Sequence, residues 1–204
     1  MNIVNVGYDS TNYYVLSQDD SNRDPHRDLR RDPRLLVDVG WPGTLPRLLA
    51  QLRRKDIALR DISYLLVTHY HPDHAGLVQE LRDRGMQLVI LETQLSAIPV
   101  LKSYMKPVNH YVEIDPHGAL VLTASESGAF LARTGIAGQI ISTPGHSDDS
   151  VTLVLDEGAA FTGDLPGPGF AVEAAAEQVA RSWEAIRSLS ARTVYPGHGP
   201  VWPL

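Results

Sequence analysis

The sequence predicts an α/β protein in which two sheets lie between covering helices. Short apolar runs rich in β-branched residues alternate with stretches whose apolar residues recur every three or four positions. The first pattern is typical of strands and the second of amphipathic helices. With 204 residues, 43% of them apolar, the chain is long enough to bury a sizeable core, and no boundary divides it. We therefore expect one domain over residues 1–204.

In the first part of the chain, the runs YYVL (13–16) and RLLVDVG (34–40) flank a polar loop and predict a hairpin. A helix is predicted over 42–57, because its leucines fall on one helical face. The run DISYLLVTH (61–69) predicts a buried strand, because its apolar residues follow one another without alternation. Strand and helix thus alternate from the start.

The pattern continues with a helix from about Ala75 to Arg84, closed by Gly85, and a strand over 87–92. Residues 92–118 have no clear pattern. Beyond them, a helix is predicted over 127–134 and strands over 138–143, 150–156, 159–164 and 193–199. A long helix precedes the last strand, and its predicted buried face consists of Val172, Ala176, Val179, Trp183, Ile186 and Leu189.

Composition excludes several classes of protein. The net charge of −6 disfavours a nucleic-acid partner, because phosphate neutralisation needs a clustered basic surface, and the arginines of 23–34 alternate with aspartates in what we interpret as a solvated loop. No apolar run is long enough for a membrane span, and no signal peptide is evident, so we expect a cytoplasmic protein with no membrane partner. A small-molecule substrate is expected, and the oligomeric state is left open. Because there is no cysteine, any metal site must use histidine and carboxylate.

Imidazole and carboxylate side chains recur just past the ends of four predicted strands, beside glycine or proline. Loops at strand ends are where functional groups concentrate on a rigid frame. This mixture of nitrogen and oxygen donors suits zinc and related metals. These candidate metal ligands are His69, His71, Asp73, His74, His146, Asp164 and His198.

The motifs H-x-H-x-D-H (69–74), T-P-G-H (143–146), F-T-G-D (161–164) and P-G-H-G (196–199) occur in this order. Together they resemble the metallo-β-lactamase superfamily, in particular its small glyoxalase II-like hydrolases. The resemblance covers nearly the whole chain and extends to Asp38 in VDVG. It implies a four-layer αββα sandwich carrying a metal-dependent hydrolase site.

The resemblance also implies two divalent metal ions, with zinc expected and Mn²⁺ or Fe²⁺ accepted by the same ligand types. The first ion corresponds to His69, His71 and His146, and the second to Asp73, His74 and His198. Asp164 corresponds to the carboxylate that bridges both ions. Asp38 corresponds to a residue behind the ligands, which orients one of them without binding metal.

The chemistry implied is attack by a bridging hydroxide on an ester-like carbonyl, in a thioester, lactone or ester. Asp73 and Asp164 are the expected catalytic residues, Asp73 because its free oxygen could orient the hydroxide proton. Alternatives are a phosphodiesterase or phosphotriesterase on the same site, a mononuclear iron oxygenase resembling persulfide dioxygenases, and a binding module with a structural metal. Possible substrate contacts are Tyr13, His110 and Tyr111.

Departures from the sequence patterns of known subfamilies exclude some of the functions found in the superfamily. The lack of cysteine excludes β-lactamases with cysteine in the second site, so β-lactamase activity is expected to be promiscuous at most. The intact second histidine of the first motif distinguishes the chain from flavodiiron proteins, and GDLPGPGF lacks the tyrosine of quorum-quenching lactonases. Glyoxalase II and the processing nucleases of the superfamily carry additional segments or domains, which we do not expect in this chain. A compact hydrolase is the interpretation that remains.

Overall fold

The computed structural model describes residues 1–18 and 33–204, so most of the arginine-rich loop lies outside the described residues. The strands are β1 (Asn2–Asn5), β2 (Tyr14–Ser17), β3 (Arg34–Val37), β4 (Ile62–Leu66), β5 (Gln87–Leu91), β6 (Leu120–Leu122), β7 (Gly138–Ser142), β8 (Val151–Leu155), β9 (Ala159–Gly163), β10 (Thr193–Pro196) and β11 (Trp202–Pro203). The α-helices are α1 (Leu45–Arg54), α2 (Pro72–Ala75), α3 (Val78–Arg82), α4 (Ala124–Arg133) and α5 (Ala176–Ser188).

Within the described residues the strands form two sheets, ordered β1-β2-β3-β4-β5-β6 and β11-β10-β9-β8-β7. The predicted hairpin is confirmed, since β2 pairs antiparallel with β3 and Tyr14 lies opposite Val37. From β3 onward the first sheet is parallel, and β9 and β10 are parallel in the second. Parallel neighbours end at the same edge of a sheet, so the residues that follow these strands are brought together.

Successive strand residues pack into different cores, as the alternation of side chains in a strand requires. In β2, Tyr14 and Leu16 pack between the sheets, whereas Val15 packs on the outer side of the first sheet. In β8, Leu153 lies between the sheets and Val154 lies in the core shared with α5. Since α1 and α3 cover the first sheet and α5 covers the second, the four-layer αββα sandwich is confirmed.

Helix α1 forms where the leucine spacing predicts it. Leu45, Leu48 and Leu52 are buried against the first sheet, and burial of each stabilises the fold by about 1.5–3 kcal/mol. Pro46 lies in the first turn, where its missing N–H costs nothing, and Arg53 and Arg54 end the helix, where the macrodipole favours cations.

Two predicted helices are wrong in extent. The helix predicted over 75–84 is instead two short helices, α2 and α3, separated by a turn at Gly76. The backbone packs so tightly there that a Cβ on Gly76 would lie 2.3 Å from Pro42 Cδ. The last helix begins late, after a 3₁₀ turn at Glu173–Ala175, so Val172 and Ala176 are exposed and the buried face begins at Val179.

Three strands escape prediction: β1, β6 and β11, each of which lies at the edge of its sheet. Edge strands are short and lack the continuous apolar run that makes a central strand recognisable. The segment without a clear pattern contains 3₁₀ turns at Glu92–Gln94, Pro99–Tyr104 and Pro107–Asn109. Its conformation is therefore set by turns rather than by a repeating pattern of apolar residues.

Candidate metal centre

The seven predicted ligands all follow strand ends at one edge of the sandwich. Residues 69–74 follow β4, His146 follows β7, Asp164 follows β9 and His198 follows β10. A main-chain hydrogen bond joins the two sheets at this edge, from Val151 N to Thr68 O at 2.8 Å. The packing of the two sheets thus brings together residues more than a hundred positions apart in the chain.

A first group consists of His69, His71 and His146. One potential ligand atom of each lies within 4.8 Å of those of the other two. The closest approach is between His146 Nε2 and His71 Nδ1, at 3.0 Å. His69 is buried at the base of this group, and Thr68 Oγ1 lies 3.2 Å from its Nδ1, leaving Nε2 toward the group.

A second group consists of Asp73, His74 and His198, with the same 4.8 Å limit between ligand atoms. His198 Nε2 lies 3.1 Å from Asp73 Oδ2, and His74 Nε2 lies 3.5 Å from the same oxygen. His74 is fully buried, whereas the side chain of His198 is 39% exposed. The second group therefore opens to solvent on the side of His198.

The Asp164 carboxylate lies between the two groups. Its Oδ1 is 3.2 Å from His74 Nε2, and its Oδ2 is 3.4 Å from His198 Nε2. The same Oδ2 is 3.7 Å from His146 Nε2 and 3.9 Å from His69 Nε2. One carboxylate thus faces histidines of both groups, which is the arrangement that a bridging ligand needs.

Three buried polar atoms at this centre have no hydrogen-bond partner among the described residues: His69 Nε2, His74 Nε2 and Asp164 Oδ1. Buried polar atoms are nearly always paired, because an unpaired one forfeits its hydration. Imidazole nitrogens and carboxylate oxygens that converge in this way fit a divalent cation of the zinc type. The donor set therefore suits the metal that the sequence predicts.

Asp38 lies behind His74, where the resemblance predicts it. Its Oδ2 accepts a hydrogen bond from His74 Nδ1 at 2.9 Å and from Thr68 Oγ1 at 2.8 Å, and its Oδ1 accepts from Thr68 N at 2.7 Å. Because His74 donates from Nδ1, its Nε2 faces Asp73 and Asp164. Thr68 is not among the site residues predicted from the sequence, although it directly precedes the predicted ligand His69.

Glycines allow the chain to approach the ligands closely. A Cβ on Gly197 would lie 2.5 Å from Asp164 Oδ1 and 2.6 Å from His74 Cε1.

Asp149 supports the backbone of the loop that carries the first histidines, because its buried carboxylate accepts a hydrogen bond from Tyr70 N at 2.7 Å. Asp148, its neighbour, is exposed.

The electrostatics of the centre are dominated by its carboxylates. Burial lowers the pKa of His74, but the carboxylates of Asp38 and Asp164 outweigh burial and raise that pKa to about 10. Burial, reinforced by the neighbouring imidazoles, holds the pKa of His69 well below its usual range. Burial opposes ionisation of Asp164, but the histidines around it lower its pKa. Among these groups, His74 is therefore the one whose protonated form the surroundings favour.

Metal binding should consequently release a proton. His74 is protonated below about pH 10 in the metal-free protein, and an ion can take Nε2 only after the proton leaves. We expect affinity for an ion held by His74 to weaken about tenfold for each unit that the pH falls below that value, down to neutrality. Calorimetric titration of chelator-treated protein with Zn²⁺, in buffers of different protonation enthalpy, measures the release. Equal heats in all buffers would contradict it.

The predicted substrate contacts lie outside both ligand groups. Tyr13 is fully buried and its ring packs edge-on against Tyr8 at 5.1 Å, and its contact with substrate stays a prediction. Tyr111 is half-buried beside the first core, and its hydroxyl accepts a hydrogen bond from Ile114 N. His110 is exposed, in a left-handed conformation, and its contact with substrate stays a prediction.

Two cavities adjoin the ligands. A cavity of about 190 Å³ lies beside His71, and its lining includes the polar residues Tyr104, Ser147 and Asp148. The ring of Tyr104 lies 5.5 Å from the ring of His71. A larger cavity of about 500 Å³ lies beside His198, with a largely apolar lining of Leu165, Pro168, Phe170, Val194, Pro196 and Trp202. The two cavities therefore offer different residue types to a molecule bound at the centre.

Comparison with known proteins agrees with the fold. The family model of the metallo-beta-lactamase superfamily matches residues 29–198. A curated relative, the beta-lactamase-like protein 2 homolog of Caenorhabditis elegans, is 30% identical over 175 residues, covering 82% of this chain and 52% of the relative. A metallo-beta-lactamase family protein from Thermus thermophilus has a TM-score of 0.71 at 21% identity, covering 99% of this chain and 74% of that one. The BLEG-1 B3 metallo-beta-lactamase has a TM-score of 0.66 at 25% identity, covering 95% and 88%.

The fold and the site thus define a protein of the αββα class with a histidine and aspartate centre. The chain belongs to the metallo-β-lactamase superfamily, whose members are mostly metal-dependent hydrolases. It spans about half the length of the curated relatives it matches. The length of the chain therefore does not show to which branch of the superfamily it belongs. Among the described residues, no helix has the length and apolar character needed to cross a membrane.

Proposed function

We propose that the protein is a dinuclear metal-dependent hydrolase that acts on an ester-like carbonyl in a small molecule. The observation that carries this proposal is the position of Asp164, whose two carboxylate oxygens face histidines of both ligand groups. A mononuclear site would need only one of these groups. The unpaired, buried Nε2 atoms of His69 and His74, one in each group, support two ions rather than one.

His69, His71 and His146 would hold the first ion, and Asp73, His74 and His198 the second, with Asp164 shared. When bound, the two ions supply a nucleophilic water of lowered pKa and a Lewis acid that polarises the substrate oxygen. The chain itself fixes the orientation of these ligands. Asp38 holds the His74 ring, and Asp149 braces the backbone of the loop that carries His71 and Asp73.

Asp73 would also act on a proton during the reaction. Its Oδ2 is the oxygen that approaches His74 and His198, so Oδ1 is the oxygen left to accept a hydrogen bond from the nucleophilic water. Asp164 faces histidines with both oxygens and serves as a ligand. These roles make Asp73 the proposed proton-orienting group and Asp164 the proposed bridging group.

The cavities bear on the class of substrate. The cavity beside His198 is lined mainly by apolar residue types and suits a hydrocarbon group, and the cavity beside His71 also offers hydroxyl and carboxyl side chains to a polar group. A molecule with one end of each kind and a carbonyl between them fits this arrangement. Thioesters, lactones and simple esters with an apolar substituent meet this description, whereas the net charge of −6 makes a nucleic-acid substrate a poor match.

The test is elemental analysis of protein purified without added metal, together with rates on a matched panel of chromogenic esters, thioesters, phosphodiesters and one cephalosporin. We expect close to two ions per chain, with zinc predominant, and turnover of a carboxylic ester or thioester. Turnover of phosphodiesters alone would move the protein to phosphoesterase chemistry on the same ligands. A single iron without hydrolysis would contradict the proposal and favour an oxygenase.

A further inference from the structure

The loop between β1 and β2, residues 6–13, lies against the turn that carries His198. Asn12 N donates to Gly197 O at 2.7 Å. The side-chain amide of Asn12 donates to Pro196 O at 3.0 Å and to Gly199 O at 2.8 Å. We call residues 6–13 the β1–β2 loop. One residue of this loop thus satisfies three main-chain carbonyls of the turn, which holds the two segments in register.

The opposite side of the β1–β2 loop is tied to the start of α1. Tyr8 Oη and Thr44 Oγ1 share a hydrogen bond of 2.6 Å, and the guanidinium of Arg47 forms a two-pronged ion pair with Asp9. The same guanidinium lies over the Tyr8 ring, 5.1 Å from its centroid. Because both sides are anchored, the residues at the tip of the loop have a defined position.

Two residues at that tip contact ligands of the second group. Thr11 Oγ1 donates to Asp73 Oδ2 at 3.2 Å, and Thr11 is buried. The main-chain oxygen of Ser10 lies 2.6 Å from His198 Nδ1. A carbonyl oxygen only accepts, so Nδ1 of His198 donates this hydrogen bond and Nε2 is the nitrogen that faces the second group. That Nε2 is the atom 3.1 Å from Asp73 Oδ2.

Each member of the second group therefore has a hydrogen-bond partner outside the group. Asp38 holds His74, and the β1–β2 loop holds both Asp73 and His198. The loop lies outside residues 29–198, the part of the chain that the family model matches. The contacts of Ser10 and Thr11 thus come from outside the four motifs that carry the predicted ligands.

We propose that the β1–β2 loop completes the second metal site, with the Thr11 hydroxyl and the Ser10 carbonyl as positioning groups for Asp73 and His198. The inference rests on the proposed dinuclear function, since it concerns only the second ion. Partners behind the ligands commonly contribute about 10–100-fold to metal affinity. Loss of the Thr11 hydroxyl should weaken binding of the second ion and leave binding of the first unchanged, because among the described residues no hydrogen bond joins its histidines to the loop.

The Thr11→Val variant removes the hydroxyl and keeps the branched shape. Metal-free wild type and variant are titrated with Co²⁺ against a competing chelator, and the ligand-field absorption and dissociation constant of each ion are recorded. We expect the second dissociation constant to rise about tenfold and the first to stay the same. Thr11→Ser, which retains the hydroxyl, should restore the second ion. Thr193→Val is the matched control, because it makes the same substitution at the half-buried start of β10, the end of the strand opposite His198.

The outcomes separate the inference from the proposal beneath it. Wild type that binds one ion ends the dinuclear proposal itself. Wild type that binds two ions, with Thr11→Val unchanged in both constants, overturns the inference alone. Equal weakening of both ions together with a lowered melting temperature of the metal-free protein also overturns it, because that result assigns Thr11 a general structural role. A selective loss of the second ion that Thr11→Ser reverses supports it.

Discussion

The Asp164→Asn variant will bind fewer than two ions and lose hydrolytic activity by more than about a hundredfold. The substitution keeps the size of the side chain but removes its charge and leaves a single good oxygen donor for two groups of histidines. Partners that merely orient ligands contribute up to about a hundredfold in affinity or activity, so a bridging ligand should contribute more. Metal content and initial rates on the preferred ester measure the loss.

The Asp164→Asn variant has a matched control. Asp156→Asn makes the same substitution at an exposed position after β8, away from the ligands, and should leave metal content and rates unchanged. The fold should survive Asp164→Asn, because the core lies between and outside the sheets rather than at this edge. A folded variant that keeps two ions and full activity would rule out the bridging role. A variant that unfolds even when supplied with metal would point to a structural metal instead.

The Asp38→Asn variant will destabilise the metal-free protein by about 3 kcal/mol, because a buried carboxylate that accepts three hydrogen bonds loses its charge. The new amide group would place a donor where Thr68 and His74 already donate. Affinity for the second ion should also fall by about 10–100-fold, since His74 loses the partner that orients it. Urea unfolding of chelator-treated protein measures the first effect, and competition titration measures the second.

Asparagine is the informative replacement here, because Asp38 adopts a φ of 61° and asparagine tolerates the left-handed region better than alanine does. Asp56 supplies the control, as it is exposed and has a φ of 55°. Asp56→Asn should change the free energy of unfolding by no more than about 0.5 kcal/mol. If Asp38→Asn were as mild as this control, the hydrogen bonds to Asp38 would not govern the stability of this edge.

Much of the fold is predictable from local patterns. The leucine spacing of α1 and the continuous apolar runs of β4 and β8 predict their elements, because one face or two faces of each are buried. The edge strands β1, β6 and β11 are not predictable in this way, since half of their bonding and much of their surface is solvent-facing. The helix split at Gly76 was missed because close packing on Pro42, a distant residue, interrupts it.

The residue types at the candidate centre were determined by the sequence itself. Four motifs with imidazole and carboxylate at strand ends, and no cysteine, identify the candidate ligands and the superfamily. Only the tertiary structure decided which groups form hydrogen bonds with these ligands. Thr11 and Ser10 reach Asp73 and His198 only because the β1–β2 loop packs on the turn after β10, nearly the whole chain away. Tyr13 is removed from the surface by the same packing, since a side chain's exposure depends on what the rest of the chain places over it.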